Sequence, residues 1–278
     1  MIKVFFIFIT NILDKIDIIY QLLQILSSMP LYLNKPIGKT PLEVIQEIHN
    51  GTSKYSFAGR LDPMARGLMI VLQDEECKFQ DNFCHLDKVY EFTMLLGCQT
   101  DTYDVLGLLT HEINLESNLK IKLNYLIQNN LSQYTGIIEQ YYPPYSSIIV
   151  NKKPLWWWSR ENKLNEITIP SKKVEIYKLE NLGYHKEISG YELWKQIEEK
   201  ITSLSESRYK NFRVPKILEK WDKHLTKYQD KQFILQSFRA TVSSGTYIRS
   251  LVHRIGMDLN CGALAFDIHR TEFLEKKY

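Results

Sequence analysis

The residue best suited to do chemistry is a single carboxylate, Asp62, in the polar segment SFAGRLDPMARG (Ser56–Gly67). Pro63 fixes its own φ and biases the residue before it toward an extended conformation. Gly59 and Gly67 allow the chain to bend on either side of the carboxylate. The pattern predicts an acid group on a rigid loop, which suits a nucleophile or a general base. Taken alone, Asp-Pro is also typical of an ordinary turn.

Other common catalytic signatures are absent from the sequence. It contains no metal-binding motif, phosphate-binding loop, dinucleotide fingerprint or Gly-x-Ser-x-Gly elbow. Its four cysteines form neither a CxxC pair nor a zinc-like spacing with histidine, and they predict free thiols in a reducing compartment: Cys77, Cys84, Cys98 and Cys261. We therefore expect no metal site.

The composition is that of a globular protein with a hydrophobic core. Of the 278 residues, 44% are hydrophobic and 24% are charged, which argues against disorder. Lys and Arg number 35 against 32 Asp and Glu, so the net charge is only +3. This weak excess permits nucleic-acid binding but does not argue for it, and a binding surface would have to come from local clustering.

Secondary-structure signals place Asp62 between predicted elements. A short strand is expected at Leu31–Asn34, and a helix follows Thr40, because the sequence TPLE has the capping-box pattern with proline in the first turn. The loop at Ser56–Gly67 leads into LMIVL (Leu68–Leu72), a continuous apolar run that is typical of a buried strand. A loop held against a core strand is a common place for catalytic groups.

The rest of the chain alternates irregularly between strands, helices and long polar loops. We predict strands at Lys88–Gly97, Ile148–Val150, Val174–Leu179, Phe233–Val242 and Leu264–Arg270. Helices are predicted at Leu119–Gln133, Leu155–Lys163 and Gly245–Leu259, and loops at Gln99–Gly107 and Gln140–Ser147. Because there is no regular βαβ rhythm, the sequence predicts an α+β fold with a mixed, largely antiparallel sheet flanked by helices and loops.

The first 28 residues are predicted to be an extension of the domain. Their apolar run, Val4–Ile9, is too short to cross a bilayer, which takes about 20 residues, and no signal-peptide cleavage pattern follows it. We expect either a loosely attached appendage or translation that begins at Met29. Residues 29–278 then form one domain with no membrane association. We expect a cytoplasmic location, with a nuclear or organellar one left open.

Five segments of the chain, in order, resemble the TruB family of pseudouridine synthases. AGRLDPMARGLMIVL is similar to the Gly-x-Leu-Asp segment that carries the catalytic aspartate of these enzymes, and its Asp-Pro is typical of TruB. Four more segments are similar to other TruB motifs: LNKPIGKTPLEVI, KVYEFTMLLGCQTDTYDVLG, GIIEQYYPPYSSIIVNKKPL and SSGTYIRSLVHRIGMDLNCGALAFDIHRTEF. They lie within residues 31–182 and 233–273. The resemblance implies a catalytic domain of the pseudouridine synthase fold at residues 29–278.

The resemblance also implies an activity, the isomerisation of a uridine in the T-loop of tRNA (position 55) to pseudouridine. Asp62 corresponds to the family's catalytic carboxylate, and Tyr90 to the aromatic residue that stacks on the target base. Arg249 corresponds to the basic partner of the aspartate. A guanidinium close to a carboxylate favours its ionised form, which a nucleophile or base requires. Whether Asp62 attacks C1′ or C6 of the nucleotide, or removes a ribose proton, stays open.

Three further residues are placed in the site by the resemblance. Tyr247 corresponds to a residue of the pocket, Lys35 to a lysine near the active-site floor, and Leu264 falls in the segment that closes the pocket. The reaction involves no redox step and no group transfer, so the resemblance implies no cofactor. The expected partner is the T-arm of tRNA, and we expect a monomer without an obligatory protein partner.

The chain departs from the family pattern at three points. Phe57 stands where the family has a histidine that helps to push the base out of its stack. An aromatic ring can still stack or act as a wedge, but it cannot form a hydrogen bond, which puts base flipping or substrate choice in question. Arg60 adds a positive charge at a position that is often small. Many relatives carry a C-terminal RNA-binding PUA domain, and we expect none here because the sequence ends at Tyr278.

A Lys/Glu-rich segment at about 183–232 is predicted to be a charged helical insertion between two strands. Its many basic side chains could bind phosphates, but they alternate with glutamates, which is also typical of a solvated helical face. Three consecutive tryptophans, Trp156–Trp158, are expected to be partly buried, with stacking on RNA as the alternative.

Two other functions are compatible with the resemblance. The chain could be a tRNA-binding or folding module with weak or altered pseudouridylation, or a guide-RNA-dependent synthase within a complex. The presence of Asp62, Tyr90 and Arg249 together favours the enzyme, since binding alone does not require a carboxylate that faces a polyanion. The expected lack of the C-terminal domain disfavours the guided class.

Overall fold

The structure is a computed structural model that describes residues 30–49, 51–111 and 119–275. The predictions made for residues 1–28, including a start at Met29, lie outside the described residues. The described residues form ten strands: β1 (Leu31–Lys35), β2 (Tyr55–Ala58), β3 (Ala65–Gln73), β4 (Asp87–Leu96), β5 (Gly136–Tyr141), β6 (Ile149–Val150), β7 (Lys153–Pro154), β8 (Ser171–Ser189), β9 (Gln232–Val242) and β10 (Ala263–Leu274).

Eight α-helices accompany the strands within the described residues: α1 (Pro41–Ile48), α2 (Gln80–Cys84), α3 (Leu119–Tyr125), α4 (Leu155–Arg160), α5 (Gly190–Thr202), α6 (Tyr209–Phe212), α7 (Val214–Thr226) and α8 (Ile248–Asp258). Among these residues, no helix combines the length and the apolar character that crossing a membrane requires.

Eight strands form one sheet in the order β1-β3-β10-β4-β9-β8-β5, with β2 paired to β3. The pairing of β3 with β10 is parallel, and the other pairings in this sheet are antiparallel. The predicted α+β fold with a mixed, largely antiparallel sheet is confirmed. The last strand, β10, lies in the interior of the sheet, between β3 and β4.

Local sequence accounts for the helix that follows β1. The backbone N–H of Thr40 donates to Glu43 Oε2 at 2.7 Å, and Glu43 N–H donates to Thr40 Oγ1 at 3.3 Å, which is the predicted capping box. Pro41 occupies the first turn, where its missing N–H removes no hydrogen bond. Val44 and Ile45 then face a small hydrophobic cluster with Met69 of β3.

Two predicted boundaries are wrong. The loop expected at Ser56–Gly67 is only six residues long, because Tyr55–Ala58 pairs with β3 as a strand and β3 itself begins at Ala65. The helical insertion expected from about residue 183 begins at Gly190, since β8 continues to Ser189 and pairs with β9. Both errors arise where a polar strand is completed by a partner distant in sequence, which local propensity does not register.

Hydrophobic side chains on the two faces of the sheet form two large clusters. Along β9, Ile234 joins one cluster and the neighbouring Phe233 and Leu235 join the other, as expected for side chains that alternate between faces. The first cluster includes one side of α8, and the second includes the apolar sides of α5 and α7. The insertion is therefore part of the folded core on its face of the sheet.

Trp221 of α7 anchors the insertion. Its side chain is fully buried, and its indole Nε1 donates to the backbone oxygen of Val105 at 3.2 Å. Because α7 and the loop around Val105 are distant in sequence, this contact fixes the insertion against the loop.

We expect Trp221→Ala to lower the free energy of unfolding by about 3–5 kcal/mol, through lost burial, a cavity and an unpaired carbonyl. Trp156→Ala removes the same side chain from an exposed position (39%) and should cost less than about 1 kcal/mol. Urea unfolding monitored by circular dichroism measures both. Equal losses in the two variants would show that Trp221 does not anchor the insertion.

Candidate active site

A cavity of about 650 Å³ is lined by side chains from distant parts of the chain. Its walls include the loop between β2 and β3, residues of β4 and β10, the loop after β4, and the first turn of α8. The volume lies in the range of pockets that hold small ligands, or one part of a larger one.

The loop between β2 and β3 presents Asp62 to this cavity. Leu61 is buried in the hydrophobic core on one side of the carboxylate. On the other side, the carbonyl oxygen of Pro63 accepts the N–H of Gly38 at 2.9 Å. The N–H of Ala65 donates to the carbonyl oxygen of Asp62 at 3.0 Å and closes the turn. The rigid, loop-borne carboxylate predicted from the sequence is therefore present.

Arg249, in the first turn of α8, holds the Asp62 carboxylate. Its Nε donates to Asp62 Oδ2 at 2.8 Å. Its Nη1 donates to the carbonyl oxygen of Thr102 at 2.6 Å, and its Nη2 to that of Tyr145 at 3.4 Å. The Arg249 side chain is 3% exposed, whereas the Asp62 side chain is 28% exposed. A guanidinium that donates from all three of its nitrogens thus fixes a carboxylate that still faces the cavity.

Asp104 is a second carboxylate beside Arg249, and the sequence analysis assigned it no role. Its Oδ2 lies 3.7 Å from Arg249 Nε. Its Oδ1 accepts the Thr102 hydroxyl at 2.7 Å and the N–H of Leu106 at 2.9 Å. Burial raises the pKa of Asp104 to about 6, although the charge of Arg249 opposes this shift.

The charge of Arg249 is stabilised by its partners. Burial disfavours the guanidinium cation, but the charges of Asp62 and Asp104 outweigh burial and raise the pKa of Arg249. Arg249 therefore stays charged at any pH at which the protein is folded, and it links the two carboxylates into one network.

Two predicted tyrosines line the cavity. Tyr90 of β4 is 7% exposed and lies opposite Arg270 in the pairing of β4 with β10. Tyr247 precedes α8, and its backbone is held by Gln140, which accepts its N–H at 2.8 Å and donates to its carbonyl oxygen at 3.1 Å. Burial, and then the charge of Asp62, raise the pKa of Tyr247 to about 12, so its hydroxyl remains a hydrogen-bond donor near neutral pH.

Phe57 and Arg60 also line the cavity, one residue at the end of β2 and the other beside Asp62. The guanidinium carbon of Arg60 lies 5.9 Å from the centre of the Phe57 ring, within the range of a cation–π contact. The two residues at which the sequence departs from the family pattern therefore meet at the same wall.

Lys35 and Leu264 do not line the cavity, which corrects the sequence analysis. Lys35 is fully buried beneath the Asp62 loop, where its Nζ donates to Lys39 O at 2.7 Å and lies 3.5 Å from Pro63 O. Burial lowers its pKa to about 8. Leu264 points to the face of the sheet that packs on the insertion. A register shift in β10 between Ala265 and Asp267 exchanges the two faces for the residues that follow it. On the cavity side, Ile268 and Arg270 take the place expected for Leu264.

Two buried cations add positive charge to the cavity wall. Arg270 is fully buried and donates from Nε to Leu68 O at 2.7 Å, and its two Nη atoms have no hydrogen-bond partner among the described residues. The ammonium group of Lys88 donates to the carbonyl oxygens of Cys84 and Leu86. Burial, and then the charge of Arg270, lower the pKa of Lys88 to about 8.

The insertion and the tryptophan segment close another part of the cavity. The segment that leads into α7 contributes four residues to the lining: Arg208, Asn211, Phe212 and Arg213. Trp156 also lines the cavity. Trp157 and Trp158 are partly buried, as predicted, and meet edge to face at 5.1 Å, whereas Trp156 is exposed. Within the part of the chain that the structure describes, no group of three or more His, Cys, Asp or Glu side chains is arranged to hold a metal ion.

The sequence carried weak signals for the residues that were missed. Asp104 belongs to TDTYD, where threonine hydroxyls alternate with carboxylates, and Gln140 precedes the Pro-Pro pair. Nothing in the sequence shows that Gln140 meets the backbone of Tyr247, since 107 residues separate them. Arg270 and Lys88 are basic residues inside strand patterns, and their burial is evident only in the fold.

Comparison with known families identifies one that covers more than half of the chain. The family model described as TruB family pseudouridylate synthase (N terminal domain) matches residues 47–204.

Similar curated proteins are bacterial and bear one name, tRNA pseudouridine synthase B. The relative from Nitratidesulfovibrio vulgaris is 30% identical over 86% of this chain and 61% of its own length. The relative from Syntrophus aciditrophicus is 29% identical over 84% of this chain and 58% of its own length. A relative from Mesoplasma florum is 29% identical over 87% of this chain and 67% of its own length. The chain therefore spans about three fifths of the length of the first two relatives.

A solved structure, the crystal structure of a Cbf5-Nop10-Gar1 complex, shares the fold. The match has a TM-score of 0.50 at 18% identity and covers 89% of this chain and 49% of the other. At this identity the likeness concerns the fold alone.

The raised pKa of Asp104 predicts a pH-dependent stability. The folded chain binds the Asp104 proton more tightly than the unfolded chain, with a pKa of about 6 against an ordinary 3.8. The stability that this group contributes is therefore present at low pH and is lost as pH rises from about 4 to above 6. We therefore compare the free energy of unfolding of the wild type with that of Asp104→Asn. The wild-type value minus the variant value should decrease as pH rises from about 4 to above 6.

Urea unfolding at pH 4.5, 5.5 and 7 measures this difference. Asp230→Asn removes one negative charge from an exposed position and serves as the control. A difference between wild type and Asp104→Asn that stays constant with pH would contradict the assignment.

Proposed function

Because the chain belongs to the TruB family of pseudouridylate synthases, we propose that it is a tRNA pseudouridine synthase that isomerises a T-loop uridine, with Asp62 as the catalytic carboxylate. The observation that carries the proposal is the 2.8 Å contact between Arg249 and Asp62 at the wall of a 650 Å³ cavity. The names of the curated relatives support the same activity.

The proposed reaction rearranges bonds within one nucleotide. The bond between N1 of uracil and C1′ of ribose breaks, the base turns, and C5 bonds to C1′. The proton on C5 is lost and N1 becomes protonated, so no electron acceptor or donor takes part. An ionised carboxylate beside the sugar supplies what the rearrangement requires, a nucleophile or base near C1′ and the base ring.

Arg249 suits the task of holding and aiming the Asp62 carboxylate. It has no alternative position, because its other nitrogens donate to the carbonyl oxygens of Thr102 and Tyr145. Asp104 Oδ2 lies 3.7 Å from the same Nε atom and adds a second negative charge beside the guanidinium. Burying the Arg249 charge costs desolvation free energy, which is more typical of a reacting centre than of a surface that only binds RNA. RNA binding alone does not need a carboxylate that faces phosphates.

The aromatic residues suit the recognition of a flipped base. A uridine within a folded T-loop has to leave its stack to reach Asp62, which costs a few kcal/mol. Tyr90 offers a ring face for the uracil, and the Tyr247 hydroxyl, which stays protonated, can donate to a uracil carbonyl oxygen. Phe57 and Arg60 stand at the wall where the base would enter, so a hydrophobic wedge replaces the histidine of the family pattern.

We expect Asp62→Asn to reduce product formation by at least about 1,000-fold, because the amide can act neither as a nucleophile nor as a base. Release of tritium from a T-arm transcript with [5-³H]uridine measures the loss of the C5 proton. Asp267→Asn is the matched control, since Asp267 is a partly buried, ion-paired carboxylate that does not line the cavity. Equal tritium release by wild type and Asp62→Asn would remove Asp62 from the chemistry.

Phe57→Ala should slow the reaction about 10-fold on a folded T-arm. The variant lacks the aromatic ring that we expect to take the place of the uracil in the base stack when the uridine flips out. On a single-stranded oligonucleotide of the same sequence, where the base is already unstacked, we expect the effect to shrink to about 2-fold. Phe57→Tyr keeps the ring and should behave like the wild type on both RNAs. The same loss on both RNAs would assign Phe57 to the support of the pocket instead of to base flipping.

A further inference from the structure

Helix α7 of the insertion has one buried face and one basic face. Its buried residues recur at helical spacing and belong to the core: Val214, Ile217, Trp221 and Leu225. Four exposed lysines follow the opposite face and its C-terminal cap, and we call them the lysine stripe: Lys216, Lys220, Lys223 and Lys227. At 3.6 residues per turn, their side chains fall within an arc of roughly 60°.

The lysine stripe differs from three other basic residues of the insertion, which pair with carboxylates elsewhere in the domain. Lys200 pairs with Asp267 at 3.0 Å, Arg208 with Glu43 at 3.3 Å, and Arg213 with Asp101 at 2.7 Å. Those three pairs fix the insertion to the rest of the domain. Among the described residues, no carboxylate forms an ion pair with a lysine of the stripe. The exposed acids of α7, Glu219 and Asp222, lie to one side of the arc.

The stripe starts beside the cavity that contains Asp62. The three residues immediately before α7 line that cavity: Asn211, Phe212 and Arg213. Arg213 also packs over the Tyr145 ring at 4.4 Å, so the beginning of α7 is fixed to the cavity wall. From Lys216 to Lys227 the stripe extends for about 16 Å, at 1.5 Å per residue.

We propose that the lysine stripe binds the phosphate backbone of the double-helical RNA stem next to the nucleotide held at Asp62. This inference rests on the proposed function and adds a second contact region to it. Ammonium groups on long, flexible stems bind phosphates as point charges without reading the sequence. A stripe that starts at the cavity and continues for about 16 Å suits a stem that leads away from a loop.

An anionic lipid surface fits the stripe less well. Helices that bind membranes insert an apolar face below the headgroups. The apolar face of α7 is already buried against the sheet, with Trp221 fully enclosed. The exposed side of α7 therefore offers charge alone, which suits a polyanion in water.

The test is RNA binding by the full chain carrying Asp62→Asn, so that no turnover occurs during the measurement. The stripe variant combines Lys216→Gln, Lys220→Gln, Lys223→Gln and Lys227→Gln. The control variant removes four exposed lysines that lie outside the insertion and the cavity lining: Lys54→Gln, Lys78→Gln, Lys173→Gln and Lys178→Gln. Both variants lose the same charge, and circular dichroism melting checks that both are folded.

Dissociation constants are measured for a hairpin RNA with a complete stem at several salt concentrations. We expect the slope of log affinity against log salt to become shallower by about 2–4 in the stripe variant, since each lost phosphate contact removes about 0.9. The affinity should fall at least 10-fold at low salt, whereas the control variant should stay within 3-fold of its parent. For a loop oligonucleotide without a stem, the stripe variant should match its parent.

Equal behaviour of the stripe and control variants would overturn the inference and leave the lysines as a solvated face. Equal losses on the hairpin and on the stemless RNA would also overturn it, because the stripe would then not contact the stem. Tritium release by the wild type is measured separately. If the stripe variant loses affinity for the hairpin but the wild type releases no tritium, the lysine stripe binds RNA and the proposed activity is wrong. If the parent binds no RNA, both proposals are wrong.

Discussion

The buried guanidinium of Arg249 is the interaction on which the arrangement of the site depends. Its hydrogen bonds reach Asp62 on the loop before β3, Thr102 on the loop after β4, and Tyr145 on the loop after β5. These loops share no local structure, so their relative positions are set by one side chain with five fixed donors. Burial of a cation costs less free energy when nearby groups pair with it, and Asp62 and Asp104 provide the balancing charge for Arg249.

The features that the sequence predicts well are those specified by neighbouring residues. The capping box at Thr40, the strand that follows the Asp62 loop and the Asp62 turn itself all depend on contacts within a few residues. The pairing of Asp62 with Arg249 was expected only through the resemblance to a family, because 187 residues separate them. The site roles of Asp62 and Arg249 remain proposals, whereas their contact is a feature of the structure.

The site features that the sequence did not predict depend on whether a side chain points to the cavity side or to the insertion side of the sheet. Leu264 was expected near the pocket, but it lies on the insertion side, and the register shift between Ala265 and Asp267 brings Ile268 and Arg270 to the cavity instead. Lys35 was expected near the active-site floor, but it is fully buried beneath the Asp62 loop, where its Nζ lies 3.5 Å from Pro63 O, and it does not line the cavity. Such facts follow from register and burial, which no local pattern in the sequence encodes.

The interior position of β10 has a consequence for how the protein is made. Without this strand the large sheet separates into two parts, one containing β1, β2 and β3, and the other β4, β9, β8 and β5. Asp62 belongs to the first part, and Arg249 lies on α8, which follows β9 of the second part, so the sheet brings the two charges together once β10 has been synthesised. A chain that lacks β10 exposes unpaired strand edges and leaves the two parts of the sheet unjoined, which couples the synthesis of this strand to the assembly of the cavity.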